Sequence, residues 1–243
     1  MKPTPNSQEP YALLQHAELL INAGQLPDAL ILYDRIIEQS RPASYLLQRR
    51  GWLRRLTGDF TGANADYDQA IKLSPDDASL YCDRGACLSH RMSNMPDLDR
   101  QMKMECLEQV VDNYQACVER DPTNASAWLA LVEAYLLQHD WDMAIATYAL
   151  CQPYINTDQY LLVRAWLGCL AMCLAGDDIN DEDEAPLHGV SIRLGPTTWC
   201  IAEIDGLLDE LKSAQGITQK VALAIKIHQR FLGNFDEEPI RVG

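Results

Sequence analysis

Basic side chains are scarce in this sequence. Its 20 lysines and arginines stand against 35 aspartates and glutamates, a net charge of −15. A surface that acidic repels phosphate at long range, which argues against nucleic acid or an anionic membrane as a partner. Long apolar runs are missing too. The richest stretch, Tyr160 to Ala175, is interrupted by Arg164 and falls short of the roughly eighteen apolar residues of a membrane span. Residues Met1 to Pro10 carry neither the apolar core nor the small-residue cleavage pattern of a secretory leader. Cysteine is plentiful at eight, yet no pair shows the C-x-x-C spacing of zinc or redox sites. All eight fall in helix-like segments, so reduced thiols serving as small core hydrophobes in a cytoplasmic protein are expected. There is no P-loop, Rossmann glycine pattern, nucleophile elbow or His-Glu-x-x-His. His16, His90, His139, His188 and His228 are scattered without spaced ligand partners. A non-catalytic protein without cofactor or metal is therefore expected.

What is present is a period. With 243 residues, 47% of them hydrophobic, the chain can build a sizeable core in one elongated or two compact domains. Gly24, Ala29 and Tyr33 recur as Gly58, Ala63 and Tyr67, each 34 residues later, and Gly51 recurs as Gly85 at the same spacing. The stretch from Gly58 to Pro75, with Tyr45 to Leu56 before it, puts small residues where helices cross closely, an aromatic between them and a proline at the end. These residues resemble the tetratricopeptide repeat, an antiparallel helix pair of 34 residues.

Aligned on that resemblance, the first unit covers about 10–43 and the second 44–77. The third begins at Ala78 and ends at Pro122, with thirteen extra residues placed near 91–106. The fourth runs from Ala125 to about 156, and His139 stands there in place of the turn glycine. The resemblance implies an all-α fold: a right-handed α-solenoid of helix hairpins, whose faces are buried by stacking neighbours. Residues 1–9 would be an N-terminal extension. Residues 157–243 would supply a degenerate fifth helix, an acidic loop at 176–196 and a C-terminal helical cap, with helices starting near Pro196 and spanning about 217–232.

Two clusters have candidate metal chemistry, each with a plainer reading. Asp178, Asn180 and Glu182 alternate like calcium ligands, but the loop glycine and terminal bidentate glutamate of an EF-hand are missing, so a solvated loop is the expectation. Cys169 and Cys173 share a helix face with no further ligand nearby, which favours core packing.

The segment Gln48 to Arg55 is more informative, because four arginines flank Trp52 in a chain acidic elsewhere. Residues 1–60 sum to +1 and the remainder to −16. Helical spacing puts Tyr45, Gln48, Trp52 and Arg55 on one stripe, with Arg49 beside it. Arg and Trp dominate interface hot spots, arginine as a bidentate carboxylate clamp and tryptophan as a flat apolar platform. In the family resembled, the first helix of each unit lines a groove where partners dock, so Tyr45, Gln48, Arg49, Trp52 and Arg55 are the expected partner-binding residues. Arg50 and Arg84 recur before glycines, a pair common in bacterial repeats of this family, and are expected to bridge aspartates such as Asp66 or Asp68 within the stack. The carboxylate clamp of the chaperone-binding members is absent, since the matching stripe of the first unit reads Leu14 and Glu18.

The resemblance thus implies an adaptor, scaffold or dedicated chaperone holding a peptide or helix of mixed charge, with self-association as a further possibility. An immunity protein or secretion chaperone that neutralises a basic client is the alternative, with 91–106 and 177–196 as its contact elements.

Overall fold

The computed structural model describes residues 8–41, 43–94, 99–155, 157–179, 187, 201–215 and 218–232. Among these, every regular element is helical: α1 (Gln8–Asn22), α2 (Leu26–Gln39), α3 (Ser44–Leu56), α4 (Phe60–Leu73), α5 (Ala78–Asn94), α6 (Arg100–Arg120), α7 (Ala125–Leu137), α8 (Trp141–Cys151), α9 (Asp158–Ala175), α10 (Ile201–Gln215) and α11 (Gln219–Leu232), with a 3₁₀ turn at Gln152–Tyr154. The expected all-α class is the observed one. Two compact units divide the chain, Met1–Arg91 and Met92–Gly243.

The helix boundaries follow from local chemistry repeated along the sequence. After α1 and α3 the chain turns through Gly24 and Gly58 at φ of 74° and 86°, a left-handed conformation without penalty for glycine. Each turn closes the helix in the same way, with Gln25 N–H bonded to Leu20 O and Asp59 N–H to Arg54 O, both at 2.8 Å. His139 makes the same turn after α7, with φ at 62° and Asp140 N–H bonded to Tyr135 O at 3.0 Å. The departure from the repeat at His139 is therefore a change of residue without a change of backbone. Side-chain caps start the following helices: Asp59 accepts from Gly62 N–H, Asn124 from Ala127 N–H and Asp140 from Met143 N–H. The prolines that close units are tied to the next helix, since Tyr81 Oη donates to Pro75 O at 2.9 Å and Trp128 Nε1 to Pro122 O at 2.8 Å.

In the first compact unit, α1 packs on α2 and α3 on α4, and α2 joins the two hairpins through its contact with α3. Ala17, Ala29, Tyr33, Ile36, Leu46 and Leu53 form one buried cluster across that junction. Covering a side chain such as Leu53 stabilises by about 2 kcal/mol relative to leaving it in water. Ala63 and Tyr67 repeat the arrangement against Phe60 and Cys87. In the second compact unit, α6 packs on α7, α7 on α8, and α9 lies against both α7 and α8. Ala144 and Tyr148 are buried there in their turn. Gly168 on α9 lies beneath Tyr148, and a Cβ at that position would run into the ring. The described C-terminal helices are α10 and α11, and α11 packs on α9 with Phe231 stacked on Trp166 at 4.0 Å between centroids. Pro196 and most of the acidic loop, including Asn180 and Glu182, lie outside the described residues, as does Cys200. The other seven cysteines are thiols, six of them buried.

Candidate functional site

Helix α3 carries all five residues of the expected binding stripe, and its other side explains their orientation. Leu46 and Leu53 turn toward the first hairpin, and Leu47 packs on Ala70 and Leu80. Gly51 faces Tyr67, where a Cβ would stand 3.1 Å from the ring, so a larger residue would push α3 away from α4. With those positions buried, Tyr45 is left 58% exposed, and Trp52 is half-buried at the edge of the core.

The polar members of the stripe reach sideways. Gln48 donates through Nε2 to Ser79 Oγ at 3.0 Å and to Asp83 Oδ2 at 2.7 Å, both on α5. Arg49 reaches α1 instead, pairing with Glu18 through Nε at 3.2 Å and Nη2 at 2.7 Å. Its guanidinium also lies over the Trp52 ring, 4.5 Å from the centroid. Glu18 Oε1 accepts a further bond from Tyr33 Oη at 2.7 Å. Arg49, then Tyr33, hold the Glu18 carboxyl below its ordinary range against the opposing effect of burial. Arg55 buries its Nε, which has no hydrogen-bond partner among the described residues. Burial pushes the Asp83 carboxyl up, while the Gln48 bond and the nearby Arg55 charge oppose that rise.

Arg50, Arg54 and Arg84 are bound up in the stack. Arg50 forks onto Asp66 through Nε at 2.9 Å and Nη2 at 2.5 Å, and its Nη1 meets Asp34 at 2.9 Å. Arg54 Nη1 donates to Asp66 Oδ2 at 2.9 Å. Arg84 donates to Asp68 Oδ1 at 2.6 Å. The Arg50–Asp34 and Arg84–Asp68 bonds are the same contact one period apart, each joining the residue after a core tyrosine to the residue before a glycine. The expected bridging role of Arg50 and Arg84 is thus observed.

Sequence reasoning names Asp66 and Asp68 but misses Glu18, Asp34 and Asp83 as partners of α3. It reads Glu18 only against the chaperone clamp and is silent on Asp34 and Asp83. A signal exists for Asp34, because the Tyr-Asp and Arg-Gly pairs recur together at 34 residues. No local pattern marks the Glu18–Arg49 pair, which forms across 31 residues between neighbouring hairpins.

In the second compact unit, Trp128 stacks parallel to Tyr154 at 6.0 Å, beside a cleft of about 410 Å³ lined by Thr123, Asn124, Ser126, Tyr154 and Tyr160 among others. Among the described residues no group of three or more His, Cys, Asp or Glu side chains is placed to hold a metal ion. No described helix is long and apolar enough to cross a membrane.

Three family models match the chain: tetratricopeptide repeat models at residues 11–42 and 113–146, and a TPR repeat model at 52–88. No curated protein sequence matches. Among solved structures, a thermophilic TPR protein of Thermus thermophilus is similar at 15% identity, covering 92% of this chain and 99% of its own, with a TM-score of 0.53. MamA of Desulfovibrio magneticus RS-1 is similar at 14% identity, covering 85% of this chain and 97% of its own, TM-score 0.54. YrrB, a TPR protein described as having an unusual peptide-binding site, is similar at 15% identity over 88% of this chain and 90% of its own, TM-score 0.54. At these identities the likeness is one of fold.

Proposed function

Because the chain is a tetratricopeptide-repeat protein, we propose that it is a non-catalytic interaction module, an adaptor, scaffold or dedicated chaperone. A peptide or helical segment of a partner docks on the α1–α3–α5 face of the first compact unit, against Tyr45, Gln48, Arg49, Trp52 and Arg55. The observation that carries this reading is the arrangement of α3, which buries four side positions in the stack, leaves Tyr45 exposed and keeps the Arg49–Trp52 pair half-buried at the edge of the core. Rigid aromatic platforms beside fixed polar groups are what interface hot spots are made of. The peptide-binding site described for YrrB supports the same reading by analogy of fold. Affinity purification of the intact chain, with mass spectrometry of co-eluting proteins, tests it against a Tyr45→Ala, Trp52→Ala double variant. Partners retained by the parent and lost by the variant are expected; equal retention would refute the site.

A second reading draws on charge. Residues 1–91 hold ten basic and eleven acidic side chains, whereas residues 92–243 hold ten and 24. The excess in the second compact unit would suit a basic client, as an immunity protein or secretion chaperone requires. Such binding would weaken steeply with added salt and survive the double variant.

A further inference from the structure

We infer that the α1–α3–α5 face selects an uncharged segment rich in apolar or aromatic side chains, and that Arg49 serves it as a hydrogen-bond donor to a backbone carbonyl. This rests on the groove reading above and reverses the preference for carboxylates that the arginines alone suggest. Three of the four arginines of α3 already pair with a carboxylate. Arg49 is forked onto Glu18, and Arg50 and Arg54 share Asp66. Arg55 lies near enough to Asp83 to act on its charge. An incoming carboxylate would have to approach Arg49 beside Glu18, whose own charge repels it. An incoming lysine or arginine would meet Arg49 itself. A neutral carbonyl meets neither obstacle.

The remaining polar valences fit such a segment. Glu18 occupies Nε and Nη2 of Arg49 and Tyr33 Oη stands beside the same guanidinium, while no described residue is hydrogen-bonded to Nη1. The Glu18 fork and the contact over Trp52 fix that donor in place, so little side-chain freedom is lost when it is used. Gln48 spends both amide hydrogens on α5 and keeps its carbonyl oxygen as an acceptor for a backbone N–H. Tyr11 of α1, 64% exposed, stands one period before Tyr45, so the two tyrosines offer equivalent apolar surfaces on neighbouring helices.

The test is selection of a displayed random dodecapeptide library on the full-length chain, scored for peptides whose retention depends on Trp52. Circular dichroism of the Trp52→Ala and Glu18→Gln variants checks that both fold. Trp52-dependent binders of mean charge near zero and high aromatic content are expected. In Glu18→Gln, which leaves Arg49 without its carboxylate, peptides carrying Asp or Glu should gain retention roughly fivefold. Trp52-dependent binders that are already acidic in the parent, or basic, would overturn the charge inference and leave the groove reading standing. Finding no Trp52-dependent binder would overturn both.

Discussion

Asp66→Ala is the perturbation that bears most directly on how the first compact unit holds together. The Asp66 side chain is 3% exposed and accepts three charge-assisted hydrogen bonds, two from Arg50 and one from Arg54. The two guanidiniums are 15% and 21% exposed, so removing the carboxylate strands positive charge in a place water reaches poorly. Breaking a buried ion pair from one side typically costs about 3–5 kcal/mol. Asp34 softens the loss, because it remains 2.9 Å from Arg50 Nη1 and 3.7 Å from Arg54 Nη2, which places the expectation near 3 kcal/mol. Hydrogen exchange read by mass spectrometry resolves the effect by helix. Amides of α3 and α4 should exchange roughly a hundredfold faster in the variant, the equivalent of that free energy. Asp66→Asn keeps one acceptor and should fall between variant and parent. Adding Arg50→Met to Asp66→Ala should recover part of the loss, since it removes one stranded charge. A loss below about 1 kcal/mol for Asp66→Ala, or no recovery on adding Arg50→Met, would refute the argument that this carboxylate ties α3 to α4.

Gly58→Ala forces an L side chain into the left-handed turn after α3 and should destabilise by about 1 kcal/mol, read as a drop in the urea midpoint. His139→Gly relieves the same conformation after α7 and should gain about 0.5 kcal/mol net of its lost contact with Trp141, measured the same way. Gly168→Ala places a methyl against the Tyr148 ring and should cost about 1–3 kcal/mol, with faster exchange confined to α8 and α9. His228 is 4% exposed, and burial depresses its pKa below the ordinary 6.5 although Asp205 at 2.9 Å opposes the shift. The unfolded chain therefore takes up this proton first. The contribution is fully present above pH 6.5 and is lost as pH falls from there toward the folded value. The slope is at most about 1.4 kcal/mol per pH unit. Thermal melts between about pH 7.5 and 5 should show that slope in the parent and a shallower one in His228→Gln.

The parts legible in the sequence were those that repeat. Gly24 and Gly58, Ala29 and Ala63, Tyr33 and Tyr67 recur because each hairpin meets its neighbour through the same geometry, and periodicity reports such geometry directly. The bridging role of Arg50 and Arg84 was legible for the same reason. His139 shows the limit in one direction: the backbone kept its turn while the residue changed, so a residue pattern registered a break that the fold does not have. The Glu18–Arg49 pair shows the limit in the other. Gln15 occupies the position 34 residues before Arg49, so the contact is not periodic and depends on two hairpins being stacked first. Helical spacing could place Arg49 beside Trp52, but it could not say that the charge was already matched.

That matching also accounts for the uneven charge along the chain. Arginines concentrated in α3 suggest a basic patch as long as they are counted alone. Placed in the fold, they answer acids distributed over α1, α2 and α4, and residues 1–91 come out one acid in excess. Residues 92–243 cannot be balanced in that way. Arg100 meets Glu210 at 3.6 Å and His228 meets Asp205, but acids outnumber bases there by fourteen, so an excess stays unmatched whichever pairs form. The two units therefore differ in how they can attract a partner. On the proposed reading, recognition at the first would depend on short-range fit to aromatic surfaces and fixed donors, which salt hardly screens. Attraction to the second acts at range and fades within a Debye length of about 8 Å at physiological ionic strength. A partner whose affinity holds from about 50 mM to about 500 mM salt belongs to the first mode, and one that dissociates over that range belongs to the second.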